Sequence, residues 1–402
     1  MDFASLITIR EFRENYTYSN DDNTSTDVTQ LTSKSLHLTR LVVQTYLVPI
    51  VVTFGLVGNL LNILVLVNPK MRSSTNVYLL SLAVCDSLYL LFCLTLSFLH
   101  CSNKRLSRNT LAYIPIARVL SDIFGNTAVW LTVWFTLERF VAAKLPMKGK
   151  AWCTVSKAKV AIVAIFITCA INTSPEFFET TIVSITELGS NETDYFICKN
   201  TEFAELHSYQ FGYYWWFVTI FTFTPLVLLS VFNSLLIKTV WEANKRRQIL
   251  LQTRVMGETQ KYNREQQLVT MMLIVVVLIF IICQTPQAVL LIYRSNVQTN
   301  GQSVSMDFIR IAGNICNFLV QVNASVNFIL YSYFSSKFRN ILKTLVCRCY
   351  DSRMKTITTR SFAESFRGHN STMSRSTFRL TVTATSSIKC RKCEYNSVRI
   401  HL

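Results

Sequence analysis

Three small groups of polar residues interrupt long apolar stretches of this chain, and they are where chemistry would happen. Glu138-Arg139-Phe140 closes one stretch with an acid and a base side by side. Arg118 and Asp122 lie four residues apart earlier in that stretch, and Asp86 sits inside the stretch before it. Charge placed beside hydrocarbon costs about 2.5–3.5 kcal/mol per residue even on lenient insertion scales. Such residues persist where they have a partner or a task. The chemistry open to them is ion pairing that can be made and broken, and oxygen coordination of water or a small cation. Catalysis is not expected, because His37, His100, His207, His369 and His401 are scattered and no Ser-His-Asp or zinc constellation is visible. Cys390 and Cys393 form a lone CxxC with no second pair, too little for a metal site.

On a helix, Arg118 and Asp122 share one face. Two readings stand. The pair is an intrahelical ion pair, or Asp122 receives a cationic group of a ligand while Arg118 meets a carboxyl or carbonyl.

The elements that must hold these residues are membrane spans. Of 402 residues, 50% are hydrophobic and 16% charged, too little polar surface for a soluble protein of this length. A spanning helix needs roughly 20 apolar residues. Seven stretches qualify, at about 43–67, 76–100, 111–137, 158–178, 210–240, 268–293 and 307–333. Ser, Thr, Asn and Gln within them suit helices packed around a polar interior. The fold class expected is an all-α membrane protein, a bundle of seven transmembrane helices with a short amphipathic eighth.

Lys and Arg in the loops set the orientation. Lys144, Lys148, Lys150, Lys157 and Lys159 follow span three without an acid, and Lys245, Arg246, Arg247, Arg254, Lys261 and Arg264 follow span five. The N-terminus carries Asp21, Asp22 and Asp27 instead. This places the N-terminus outside and the C-terminus in the cytoplasm. The formal charge of +17 then reflects attraction to anionic lipid and an acidic cytosolic partner, and no nucleic-acid partner is expected.

Four regions follow: a disordered, glycosylated N-terminus at 1–42, a membrane domain at 43–334, an amphipathic juxtamembrane helix at 335–348, and a Ser/Thr-rich cytoplasmic tail at 349–402. Sequons at Asn15, Asn23 and Asn191 all fall on the outer side. Of twelve cysteines, only Cys101 and Cys198 share oxidising territory, and they are expected to pair. Cys347 and Cys349 follow the amphipathic stretch and suit palmitoylation. Serines and threonines such as Ser365, Ser374 and Thr381, set among Arg360, Arg375 and Arg379, suit kinases, and the added charge would recruit arrestin.

Specific strings then carry a resemblance. Gly58-Asn59 in span one, Leu82-Ala83-Val84-Cys85-Asp86 in span two, Glu138-Arg139-Phe140, Pro225 in span five, Cys283-Gln284-Thr285-Pro286 in span six and Asn327-Phe328-Ile329-Leu330-Tyr331 in span seven occur in order. From about residue 43 to 350 the chain resembles the rhodopsin-like G-protein-coupled receptors. Thr136-Leu137-Glu138-Arg139-Phe140 and Ser174-Pro175-Glu176-Phe177-Phe178-Glu179 make it similar to invertebrate neuropeptide receptors of the FMRFamide-receptor type. It departs from the family at Gln284, Phe328, Asn233 and Phe166, where Trp, Pro, Tyr and Trp are usual. Ile114 stands near the usual span-three cysteine, so Cys101 would have to substitute for it.

The resemblance implies a plasma-membrane receptor that binds an extracellular neuropeptide and activates a heterotrimeric G protein, with receptor kinases, arrestin and membrane lipid as further partners. A class A receptor for a small amine or amino-acid-like ligand is the alternative, and a transporter a more remote one. Ser121, where aminergic receptors carry their acid, weighs against the amine reading, though Asp122 adjoins it. The resemblance makes Glu138, Arg139, Phe140, Asn327, Tyr331 and Pro286 the switch, with Arg139 meeting the G protein. It brings Asn59, Asn323 and Asn327 around Asp86 as a polar network. No cofactor is implied beyond water or sodium near Asp86, with water favoured because Ala128 replaces a common serine. Arg118, Ser121, Asp122, Gly125, Gln284, Gln287, Asn317 and Gln321 would line the ligand pocket. The nearest match to the acid that often clamps the switch arginine from span six is Gln266, beside Glu265, so appreciable ligand-free activity is expected.

Overall fold

The computed structural model describes residues 27–100, 107–145, 152–186, 194–251, 271, 274–293 and 306–345, and all contacts below lie within one unit, Met1–Leu345. Helices occupy all seven expected stretches. Six described helices are long and apolar enough to cross a membrane: Lys34–Leu66, Ser74–Leu99, Val155–Phe178, Phe211–Thr239, Ile274–Tyr293 and Asp307–Phe334. Span three, Arg108–Lys144, is the more polar seventh. It packs against spans two, four and five, which is why it tolerates Arg118, Asp122, Glu138 and Arg139.

Span four illustrates the lipid-facing pattern. Val160, Val163, Ile167 and Ile171 are exposed at helical spacing, while Ala158, Cys169 and Thr173 are buried. An apolar outer face over smaller inward residues fits hydrocarbon rather than water as the surrounding solvent. Glycine brings spans one and seven together: a Cβ on Gly58 would lie 2.8 Å from Phe328 Cβ. Only a residue without that atom permits so close an approach.

Helix ends follow their side chains. Ser107 Oγ accepts from the Thr110 N–H at 3.3 Å to start span three, and Thr154 Oγ1 accepts from the Lys157 N–H at 3.4 Å to start span four. Two wide turns have a proline as their cause. The π-helical turn Leu41–Leu47 runs into Val48-Pro49, and Thr219–Phe223 runs into Thr224-Pro225. Proline lacks the N–H that would close a regular turn and its ring crowds the carbonyl four residues back; a local π turn relieves both.

Between spans four and five, β1 (Thr180–Thr186) and β2 (Asp194–Asn200) form an antiparallel hairpin with Ile182 opposite Cys198. One face of it, Ile182, Phe196 and Cys198, packs on Leu111 and Ile114 of span three. After Tyr331 the chain breaks at Ser335 and a helix resumes at 336–345. Ser335 Oγ caps it by accepting from the Phe338 N–H at 3.2 Å. Phe338 and Ile341 are buried in one cluster with Val65, Leu66 and Tyr331, while Lys337 and Asn340 are exposed.

Two expectations need correction. Residues 27–40, expected to be disordered, form a helix, Asp27–Arg40, that runs into span one and packs on span seven. Leu36 is buried there, and Gln44 beyond it donates to Asn314 Oδ1 at 2.9 Å, which ties the extension down. Cys198 has a free, buried thiol rather than a bridge. Its Sγ turns toward span three, 3.8 Å from the Leu111 carbonyl, where Ile114 offers no sulfur. Cys101, Asn15, Asn23, Asn191, Cys347 and Cys349, with the tail 349–402, lie outside the described residues.

Candidate functional site

The polar residues gather at three depths along span three. At its C-terminal end, Arg139 Nη2 donates to Glu138 Oε1 at 3.0 Å. The same oxygen accepts a short hydrogen bond from Ser74 Oγ, at the start of span two. Arg139 also lies over the Phe135 ring, 6.0 Å from its centroid, and that ring packs on Tyr78. Phe140 stacks on Phe232 of span five at 6.3 Å. The expected acid–base pair is therefore formed, and a serine from span two holds the acid in place. Gln266 and Glu265 lie outside the described residues.

At mid-depth, Asn327 Nδ2 donates to Asp86 Oδ2 at 2.7 Å, joining spans seven and two. A cavity of about 70 Å³ opens beside them, lined also by Gly125, Asn126, Gln284, Gln287 and Asn323. At about 10–15 Å³ per water centre it has room for roughly five waters. Asn59 belongs to a different set: it donates to the Ala324 carbonyl at 3.0 Å and accepts from Asn62 at 3.3 Å. Its expected approach to Asp86 is thus replaced by a brace between spans one and seven. Tyr331 is buried beneath, and Pro286 faces outward from span six.

The expected pocket residues divide. Gly125, Gln284 and Gln287 line the cavity with Phe217 and Phe221. The Gln287 and Asn126 amides each offer it one polar atom without a protein partner. Buried amides of this kind call for water or a ligand group. Ser121 faces Cys93 at 3.8 Å. Asn317 is half-buried and Gln321 buried, and neither lines the cavity.

Nearer the start of span three, Arg118 pairs with an acid beyond its own helix, while the charge of Asp122 also faces it. Arg118 Nη2 meets Glu179 Oε2 at 2.9 Å, with both side chains buried. Glu179 Oε1 accepts from Tyr209 Oη at 2.7 Å. Burial first, and then the Glu179 charge, push the Tyr209 phenol above its ordinary value, so it remains a donor. Asp122 and Glu176 are buried close by. Tyr213 Oη and Trp216 Nε1 both bond Asn172, at 2.8 and 3.1 Å, tying span five to span four. Glu176, Glu179 and Tyr209 were not anticipated as site residues. The signal was present in Ser174-Pro175-Glu176-Phe177-Phe178-Glu179: two acids three apart closing an apolar span.

The sequence pattern described as 7 transmembrane receptor (rhodopsin family) matches residues 58–331, more than half of the chain. The FMRFamide receptor of Drosophila melanogaster is 29% identical over 304 residues, covering 73% of this chain and 52% of that receptor. The chain thus spans about half the length of that relative. The sex peptide receptor of Drosophila melanogaster is 25% identical over 319 residues, 75% of this chain and 71% of that one. The allatostatin-A receptor of Bombyx mori is 27% identical over 289 residues, 71% and 74% respectively.

Proposed function

Because this chain belongs to the rhodopsin family of seven-transmembrane receptors, a family of receptors rather than enzymes, we propose that it is a cell-surface neuropeptide receptor that activates a heterotrimeric G protein. One observation carries the peptide reading. Relatives matching 71–75% of the chain are named for FMRFamide, sex peptide and allatostatin-A. The geometry supports it. Buried charge at the outer ends of spans three to five stands above a polar cavity that reaches Asp86, so ligand contacts above communicate with the network below.

In this reading the N-terminus is extracellular and the tail cytoplasmic, as the Lys and Arg of the loops indicate. Peptide binding among the outer ends favours one of two pre-existing bundle arrangements, by as much as its affinity for the two differs. The inner ends separate, Arg139 leaves Glu138, and its guanidinium meets the G protein. Asp86 with Asn327 and cavity water relays between the two ends. Kinases and arrestin act on the tail, and Cys347 and Cys349 carry acyl chains that hold the juxtamembrane helix at the lipid surface.

The test is a peptide-library screen on the expressed receptor, read by both calcium and cAMP. A potent peptide response is expected. No peptide response beside a clear response to an amine would transfer the assignment to the amine class, for which the buried Asp122 would supply the counter-charge.

A further inference from the structure

Glu179 is buried, charged and used at both ends. Its Oε2 holds Arg118 of span three at 2.9 Å and its Oε1 holds Tyr209, at the start of span five, at 2.7 Å. Its backbone carbonyl accepts from the Thr201 N–H at 2.9 Å, and Thr201 Oγ1 donates to the neighbouring Phe178 carbonyl at 2.7 Å. Glu179 immediately precedes β1 and Thr201 immediately follows β2, so this one residue closes the base of the hairpin and ties it to two spans. The Phe203 ring, just past the hairpin, packs on Tyr209 with centroids 4.4 Å apart. Arg118 is the one buried cation among the described residues.

We propose that Glu179 is a positioning residue for ligand binding: by clasping Arg118 and Tyr209 it fixes the hairpin and the outer ends of spans three and five in the arrangement the ligand meets. The proposal rests on the reading that the ligand binds at those outer ends. It also revises the role of Arg118. Glu179 already compensates the Arg118 charge, and displacing it would leave that carboxylate buried without its cation. Arg118 therefore shapes the site by holding Glu179. Charge complementarity, rather than either residue's identity, is what the clasp requires.

The experiment uses the full-length receptor with Glu179→Gln, Tyr209→Phe and the exchanged pair Arg118→Glu with Glu179→Arg. Hydrogen exchange of the 180–186 and 194–200 amides is the first readout, and the concentration–response to FMRFamide per surface receptor is the second. Loss of the charge-assisted bond in Glu179→Gln should speed hairpin exchange about tenfold, and Tyr209→Phe about threefold. The exchanged pair should return to within about threefold of wild type. Glu179→Gln should raise the half-maximal concentration about tenfold while leaving the maximal response unchanged. Wild-type exchange in Glu179→Gln overturns the proposal, as does faster exchange with an unmoved half-maximal concentration. If Glu179→Gln does not reach the surface, Tyr209→Phe decides by the same criteria. If the wild-type receptor is silent to FMRFamide, the second readout uses the peptide that the library screen returns; silence to every peptide counts against the peptide reading and the ligand half of this proposal, while exchange still judges the clasp.

Discussion

Of the three arginines of span three, Arg118 and Arg139, 21 residues apart (139 − 118), each bond a glutamate, at 2.9 Å near its start and 3.0 Å near its end. Similar distances conceal opposite constructions. Arg118 finds its acid 61 residues away in sequence, and the two side chains are 7% and 3% exposed. Arg139 takes the acid next to it, with side chains 22% and 10% exposed. A pair assembled from distant segments and removed from solvent joins those segments. A pair of neighbours at a wet end joins nothing by itself and separates at little cost. Glu138 acquires structural ties from other segments, through Ser74 of span two and through Cys153 Sγ, 3.9 Å from its carbonyl. The outer pair thus belongs to the architecture, while the inner pair suits the switch proposed above.

This contrast can be broken by experiment. Arg118→Met leaves Glu179 buried without its cation, a loss of about 3–5 kcal/mol, and surface expression measured by cell-surface labelling should collapse. Adding Glu179→Gln should restore much of it; a double variant no better than the single would undo the architectural reading. Ser74→Ala removes a hydrogen bond to a carboxylate, worth about 1.5–3 kcal/mol. Ligand-free nucleotide exchange should then rise several-fold, with Ser74→Thr close to wild type, and unchanged basal exchange would mean that Ser74 does not restrain the switch. Arg139→Ala should leave expression and thermal stability within about 1 kcal/mol of wild type, as partly exposed pairs do, while abolishing G-protein activation. Unfolding of that variant would erase the difference between the two ends.

The smallest effect concerns the thiol beside the outer pair. Burial pushes the Cys198 thiol up, and Arg118 acts in the opposite direction. The net raised value leaves less thiolate at neutral pH, so maleimide labelling should be slow and keep accelerating to higher pH than for an exposed cysteine. Peptide mapping that recovered Cys198 joined to Cys101 would show the outer end held covalently as well.

What the sequence made legible was whatever repeats along the chain or sits beside its partner. The seven spans follow from apolar run length, and Glu138 and Arg139 are adjacent. Asp86 with Asn327 came from residue types that the resembled family brings together. Glu176 and Glu179 were marked by closing an apolar span, but the pairing stayed hidden because nothing local assigns Glu179 to an arginine 61 positions earlier. The helix Asp27–Arg40 was hidden for a related reason. Its Ser/Thr-rich composition argues against order, and its stability comes from packing on span seven. Asn59 shows the limit of a resemblance: the residue is where the pattern puts it, but it bonds Ala324 and Asn62.

The wide turn Thr219–Phe223, which follows another at Tyr209–Tyr213, divides span five into segments of different phase. A regular helix advances about 100° per residue, and one π turn absorbs a whole extra residue, so the residues before and after it keep separate rotational registers. Deleting a single residue within 219–223 should let the helix close regularly and leave both halves facing as they do now. The same deletion one turn further along would rotate Phe217 and Phe221 away from the cavity they line. Span five therefore carries spare length at two places, and the second lies just where the aromatic residues that line the cavity have to be aimed.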